Sequence, residues 1–265
     1  MTLLDGEKVA AARLKKLKRV VGKLKRLPQL AIVFAGDDPG SAVYVRQKQR
    51  VGESVGILVA VHREAHPSTA HLRSMVERLG KESRVDGIIV QLPLPKTVST
   101  NLVLSAIPAD KDVDGLVGSQ FVPPTPAGIL ALLEAYSIKL KDKRVAIWGR
   151  GALVGRPLAT LLVERGAWVT CIHRQTPNPA AVSVKADIVI AATGVSGIVK
   201  GSMVKRGAVV IDAGWGRRGK HIVGEVDFAS VAKKTSAITP VPGGVGPMTV
   251  AMLMENVVKA YDLRR

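Results

Sequence analysis

Tyr44 and Lys48 are four residues apart, so on a helix a phenol and an amine share one face. Most such pairs are a surface aromatic lying beside a lysine. This one follows an apolar strand at 29–35, and ligands of open α/β sheets collect past the carboxyl ends of strands. Gln91 closes a second buried strand in Asp86-Gly-Ile-Ile-Val-Gln-Leu-Pro-Leu-Pro95. A glutamine there donates and accepts at once, which suits a ring amide, the orientation of a neighbouring lysine, or the backbone of the proline loop. Asp110, Asp112 and Asp114 sit in a turn-rich segment. They lack the oxygen-rich loop and glycine placement of a calcium hand, so the expectation is no metal and one acid facing a substrate amine.

A second constellation lies in Val145-Ala-Ile-Trp-Gly-Arg-Gly-Ala-Leu-Val-Gly-Arg-Pro157. A strand runs into glycines 149, 151 and 155 and then into a helix, the arrangement that brings backbone N–H groups against a pyrophosphate. The spacing G-x-G-x-x-x-G is one residue longer than the common dinucleotide fingerprint. At the tip of the next strand, where an acid would bind the ribose of NAD, the chain reads His173-Arg174. Arg150 and Arg174 suit a 2′-phosphate instead, which predicts NADP. Thr193-Gly194 ends a further strand on the same edge, where nicotinamide would lie.

The elements that position these residues follow from periodicity. An amphipathic helix is predicted over 5–27, with Val9, Leu14, Leu17, Val21 and Leu24 on one face and many lysines and arginines between them. The loop 36–40 leads to Ser41 as helix N-cap. Strand 57–62, helix 69–79 and the strand before Gln91 complete the first half, and Pro123-Pro-Thr-Pro126 marks a boundary. Helix 127–136 and strands 144–148, 167–172, 186–192 and 208–211 follow, then a loop at 212–216. The glycine- and proline-rich stretch 238–249 is too rigid for a linker; either Pro240 or Pro242 is a candidate cis proline, and a last helix spans 248–261.

Composition bounds the rest. The 265 residues suit one or two domains with a sizeable core, since 47% are hydrophobic. No run reaches the ~20 apolar residues of a membrane span, and a cytoplasmic location is expected. The single Cys171 excludes an internal disulfide and a multi-cysteine metal site. A net charge of +18 attracts polyanions generally, but 3% aromatic content offers few stacking platforms, so no specific nucleic-acid partner is expected.

Several motifs now occur together and in order. Tyr44-x-x-x-Lys48, the 86–95 segment, Lys111-Asp-Val-Asp-Gly115, Thr125-Pro126, Gly155-Arg-Pro157 and Pro240-Val-Pro-Gly-Gly-Val-Gly-Pro-Met-Thr249 resemble the bifunctional methylenetetrahydrofolate dehydrogenase/methenyltetrahydrofolate cyclohydrolase family over essentially the whole chain. The resemblance implies NADP-linked oxidation of 5,10-methylenetetrahydrofolate to the methenyl cation, hydrolysis of that cation to 10-formyltetrahydrofolate, and a homodimer. It also implies roles: Lys48 as the central catalytic group, Gln91 its hydrogen-bonding partner, Tyr44 near the folate, and Asp114 the anchor of the pterin edge. Val90 and Leu92 would flank Gln91 in the substrate wall, and Pro242, Gly243, Gly244 and Gly246 would close over the folate. Gly149, Arg150, Gly151, Arg174, Thr193, Gly194 and Trp215 would hold NADP. The chain departs from the family's pattern at Gly151, commonly serine, at Trp215, usually aliphatic, and at Pro124, often cysteine. The fold expected is α/β in two domains with a cleft between them: residues 1–122, rejoined by the final helix 243–265, as the catalytic domain, and 123–242 as a Rossmann-like NADP domain. The closest rival among enzymes is a two-domain oxidoreductase resembling shikimate dehydrogenase; the rival from another class is a basic nucleic-acid-binding protein on an old dinucleotide fold.

Overall fold

The computed structural model describes residues 1–118, 120–218 and 221–264. In chain order the first half comprises β1 (Thr2–Leu3), α1 (Gly6–Val21), β2 (Gln29–Ala35), α2 (Pro39–Val55), β3 (Leu58–Glu64), α3 (Thr69–Lys81), β4 (Gly87–Val90) and α4 (Thr100–Leu104). Then come α5 (Pro124–Ala135), β5 (Arg144–Trp148), α6 (Gly155–Val163), β6 (Trp168–Ile172), α7 (Pro179–Ser183), β7 (Ile188–Ala191) and β8 (Val209–Asp212). The chain finishes with β9 (Gly216–Arg218), β10 (His221–Val223), α8 (Phe228–Ala232), β11 (Ala237–Ile238) and α9 (Val245–Leu263).

These elements form two compact units: residues 12–124 with 250–265, and residues 1–11 with 125–249. The first is built on a parallel three-stranded sheet in the order β3-β2-β4. Strand β2 is apolar on both faces, as a central parallel strand must be. Leu30, Ile32 and Phe34 pack with Leu17 and Val21 of α1, Val45 of α2 and Leu253, Met254 and Val257 of α9. Ala31, Val33 and Ala35 point the other way, into a cluster with Leu72, Val76 and Leu79 of α3.

Helix α1 ends at Val21, six residues before the predicted limit. The basic segment after it turns back, and Arg26 forms a fork-shaped pair with the fully buried Asp86, both contacts 2.7 Å, while lying over the Tyr261 ring. Asp86 also accepts the amide of Gln29 at 2.8 Å, so it pins the start of β2 as well. At α2 the cap is Asp38 rather than Ser41: its carboxylate accepts the Ser41 amide at 2.6 Å, and Pro39 opens the helix. Asp outcompetes Ser here because the segment before Pro39 is held extended, which leaves Asp38 at the capping position.

The second unit holds a parallel six-stranded sheet, β1-β11-β8-β7-β5-β6. Chain order reverses direction at β5, the switch point at which doubly wound sheets bind nucleotides. The sequence pattern missed the two-residue strands β1 and β11 and the β9–β10 hairpin, all too short to show a period. Asp212 ends β8 rather than opening the following loop. Helix α9 starts at Val245, three residues earlier than predicted, so Gly246 and Pro247 occupy its first turn, where proline is tolerated. Val241-Pro242 is cis, and so is Leu92-Pro93, which the sequence did not single out. Among the described residues no helix is long and apolar enough to cross a membrane, and no group of three potential metal ligands occurs.

Candidate active site

In the first unit, α2 follows β2 and carries Tyr44 and Lys48 toward the end of β4. Lys48 is 7% exposed, and its ammonium donates to Gln91 Oε1 at 3.0 Å. The Gln91 amide nitrogen donates to Leu92 O at 2.7 Å, and Ser41 Oγ reaches the same carbonyl at 3.4 Å. The Gln91 side chain thus bonds the lysine through its oxygen and the proline loop through its nitrogen. Its own backbone amide continues the ladder to Val33 O at 2.8 Å, which fixes where its side chain starts.

Asp114 arrives from a different direction. The Ile88 amide bonds to Lys111 O at 2.8 Å, and Ile88 bridges Asp112 in parallel, so the acidic segment runs beside β4. The chain then turns, with the Gly115 amide on Asp112 O at 3.1 Å, and within that turn Asp114 lies near enough to Lys48 for each to feel the other's charge. Gly87 permits this approach, since a Cβ there would meet Val113 at 2.8 Å. Burial pushes the Lys48 amine below its usual range, and the Asp114 charge partly offsets it. Burial pushes the Asp114 carboxyl up, while Lys48 pulls it down and Asp112 adds to the rise. Tyr44 is half-buried, and burial raises its phenol. The cluster thus holds an amine whose pKa burial lowers, a neutral amide bonded to it, and a carboxyl group whose charge it feels. Val90 is buried in the sheet and Leu92 half-buried beside it.

Lys111 opens the acidic motif 111–115. It is 2% exposed, and its ammonium caps the end of α3, donating to Gly80 O at 2.8 Å, Glu82 O at 2.7 Å and Leu79 O at 3.5 Å. The cation meets the negative end of the helix dipole, and so anchors the stretch leading to Asp114. A lysine inside an acidic run gave no sign of this.

The second unit carries the glycine turn between β5 and α6. Gly149 has φ of 104°, and a Cβ on it would lie 2.1 Å from Ala192 O. Gly155 is equally tight against Gly149 O, whereas nothing lies within 4 Å of a Cβ at Gly151. Gly149 and Gly155 therefore close the turn onto the sheet, and Gly151 leaves open room above it. The Arg150 charge is felt by the Cys171 thiol on β6, opposing the upward push of burial. Arg174 is exposed in the turn after β6, a turn closed by the His173 amide on Thr176 Oγ1 at 2.9 Å. Trp215 is half-buried just before β9. Thr193 and Gly194 stand at the end of β7, with their amides directed to Glu225, a residue the sequence reading did not select.

The 240–246 stretch has a structural task in this unit. Gly243 O accepts the amides of Gly6 and Glu7 at 2.9 and 3.1 Å, which caps α1. A Cβ at Gly6 would fall 1.8 Å from Gly244 O, and one at Gly244 would fall 2.5 Å from Pro240 O. The glycines allow backbone to lie on backbone.

Fold and residues define a class: a two-unit α/β enzyme in which a doubly wound dinucleotide-type sheet accompanies a separate unit bearing a buried lysine. Residues 4–114 match the tetrahydrofolate dehydrogenase/cyclohydrolase catalytic domain, and residues 123–265 match the NAD(P)-binding domain of the same family. The chain belongs to the tetrahydrofolate dehydrogenase/cyclohydrolase family. It is 46% identical over 273 residues to the bifunctional protein FolD of Moorella thermoacetica, covering 97% of this chain and 98% of that one. Among solved structures, the bifunctional enzyme FolD of Campylobacter jejuni superposes with a TM-score of 0.95 at 40% identity, covering 100% of both chains. The Trypanosoma brucei dehydrogenase-cyclohydrolase, solved with NADP cofactor and an inhibitor, gives 0.95 at 33% identity over 99% of this chain and 98% of that one. Membership separates the chain from both rivals weighed on its sequence.

Proposed function

We propose that this protein oxidises 5,10-methylenetetrahydrofolate with NADP and hydrolyses the resulting methenyl cation to 10-formyltetrahydrofolate. The observation that carries the reading is the buried Lys48 ammonium held on Gln91 Oε1 at 3.0 Å within a chain of this family. The open turn at Gly151, the tight one at Gly149 and the arginines at 150 and 174 suit a phosphorylated dinucleotide, whose nicotinamide supplies the hydride acceptor.

In this reading Asp114 holds the amine-bearing pterin edge, Val90 and Leu92 line the wall beside Gln91, and Tyr44 lies along the folate. Pro242, Gly243, Gly244 and Gly246 border the substrate, and Gly149, Arg150, Gly151, Arg174, Thr193, Gly194 and Trp215 the cofactor. Oxidation needs little acid–base help, because a substrate nitrogen lone pair drives the hydride out; the residues mainly position. Hydrolysis asks more. Water must lose a proton as it adds to the cationic carbon, and an amine whose pKa burial has lowered, and which a substrate cation lowers further, can take that proton. Gln91 aligns the amine without adding charge.

The test is a spectrophotometric assay with methylenetetrahydrofolate, following reduced nucleotide and methenyl absorbance together, with NADP and NAD in parallel. Rapid NADP reduction with little methenyl accumulation supports both activities. Methenyl accumulation removes the cyclohydrolase, and no reduction with either nucleotide overturns the reading. A homodimer in a cytoplasmic setting belongs to the same reading. Strand β6 is a sheet edge whose Trp168 is 70% exposed, which supports a partner there, and a monomeric mass by light scattering would count against it.

A further inference from the structure

Two buried carboxylates lie at the ends of β7 and β8, outside the residues assigned so far. Asp212 and Glu225 are each 3% exposed. Glu225 Oε2 accepts the Thr193 amide at 2.6 Å and the Thr193 hydroxyl at 2.8 Å, and Oε1 accepts the Gly194 amide at 2.6 Å. Asp212 Oδ1 accepts the amides of Gly214 and Glu225 at 2.9 and 3.1 Å, and Oδ2 accepts that of Val226 at 2.9 Å. Every one of these contacts delivers a hydrogen to a carboxyl oxygen, the pattern of ionised acids. Glycines make room for them: a Cβ at Gly214 would lie 2.2 Å from Glu225 Cγ, and one at Gly224 would lie 2.0 Å from Asp212 Oδ2. Among the described residues neither acid has an ion-pair partner. Burial raises the Asp212 carboxyl, the three amides lower it, and the charge of Glu225 raises it again.

Buried negative charge without a cation is costly, so its place at the carboxyl edge of a dinucleotide-type sheet calls for a reason. The two nucleotide states supply one. The oxidised nicotinamide ring is a cation; when a hydride, one proton with two electrons, leaves the methylene carbon for the ring, the ring becomes neutral and the folate takes up the positive charge. We propose that Glu225, backed by Asp212, is a positioning residue: it holds the Thr193–Gly194 turn and fixes a negative charge at the nicotinamide end, so that the protein binds NADP+ more tightly than NADPH. This rests on the reading of that turn as the nicotinamide end. Reduced nucleotide is thereby the weaker ligand, which favours its release after each turnover.

The test is direct titration of the full-length protein with NADP+ and with NADPH, in the absence of folate. Glu225→Gln is expected to weaken NADP+ binding far more than NADPH binding, moving the ratio of the two dissociation constants by on the order of tenfold, the scale of one charge acting across several ångströms of protein. Glu225→Asp restores the charge and returns the ratio toward that of the parent. Thr193→Val removes a donor but no charge, so it weakens both nucleotides together. Should Glu225→Gln fail to melt cooperatively, Asp212→Asn carries the same readout in the same direction. Equal weakening of both nucleotides by the charge-removing variants overturns the proposal while leaving the dinucleotide site standing. Failure of the parent protein to bind either nucleotide overturns the site and the proposal with it.

Discussion

At the residue scale the proposed proton acceptor is Lys48, which can take a proton only when neutral. Its pKa lies below the ordinary 10.5, so hydrolysis should rise with pH through that lowered value and level off above it. The sign for stability is the same. Between the lowered value and 10.5 the folded chain binds fewer protons than the unfolded one, so this group's contribution to stability increases with pH across that window. Lys48→Met should abolish hydrolysis and its pH dependence while sparing NADP binding, checked by pH–rate profiles and nucleotide titration. Asp114→Asn removes the charge that raises the Lys48 pKa, so the rising limb of any residual hydrolysis should move to lower pH while KM for folate climbs. The polar end of β4 was legible because Gln91 breaks an apolar run at the end of a strand, and the Tyr44–Lys48 spacing because it puts both on one face of the helix that follows β2. Asp212 and Glu225 were not, since an acid beside glycines reads as a turn until the fold buries it.

Elements place those residues through contacts that local patterns do not encode. The Lys111 ammonium joins α3 to the segment carrying Asp114, two elements far apart in sequence. Lys111→Met should leave three carbonyls at the end of α3 without their cation, lowering stability by about 1–3 kcal/mol in urea unfolding and raising KM for folate more than it lowers the rate of reduction. The glycine turn offers a paired contrast. Gly149→Ala drives a methyl into Ala192 O at 2.1 Å and should abolish nucleotide binding or folding. Gly151→Ser meets open space and should change stability by less than about 1 kcal/mol, while its hydroxyl offers a phosphate another donor. Thermal melts with and without NADP distinguish the two. Periodicity found the long elements because their apolar faces are continuous. It misplaced the starts of α2 and α9, where one capping residue or one proline decides, and passed over β1 and β11, short strands held by partners distant in sequence, β1 on β11 and β11 on β8 as well.

For the whole molecule, the charge of +18 is the property most open to test. Anionic nucleotides and folates approach a cationic surface, so raising ionic strength from about 0.05 to 0.5 M should weaken both and slow their association, whereas thermal stability, set by cores with few charges, should change little. Salt-insensitive binding would mean that the surface charge has no part in ligand capture. The α/β class and the two-part organisation were legible from alternating elements and the Pro-Pro-Thr-Pro boundary. The place of the first residues was not, because nothing local in residues 1–11 says that they cluster with 125–249. That interleaving bears on how the protein comes into being. On the ribosome β1 is made long before Ala237 and Ile238, the residues it pairs with, and the cluster that α1 and α2 begin on one face of β2 is completed only when Leu253, Met254 and Val257 follow. Neither unit can be completed early, so both should reach their native state in a late step, after residues 237–257 have been made.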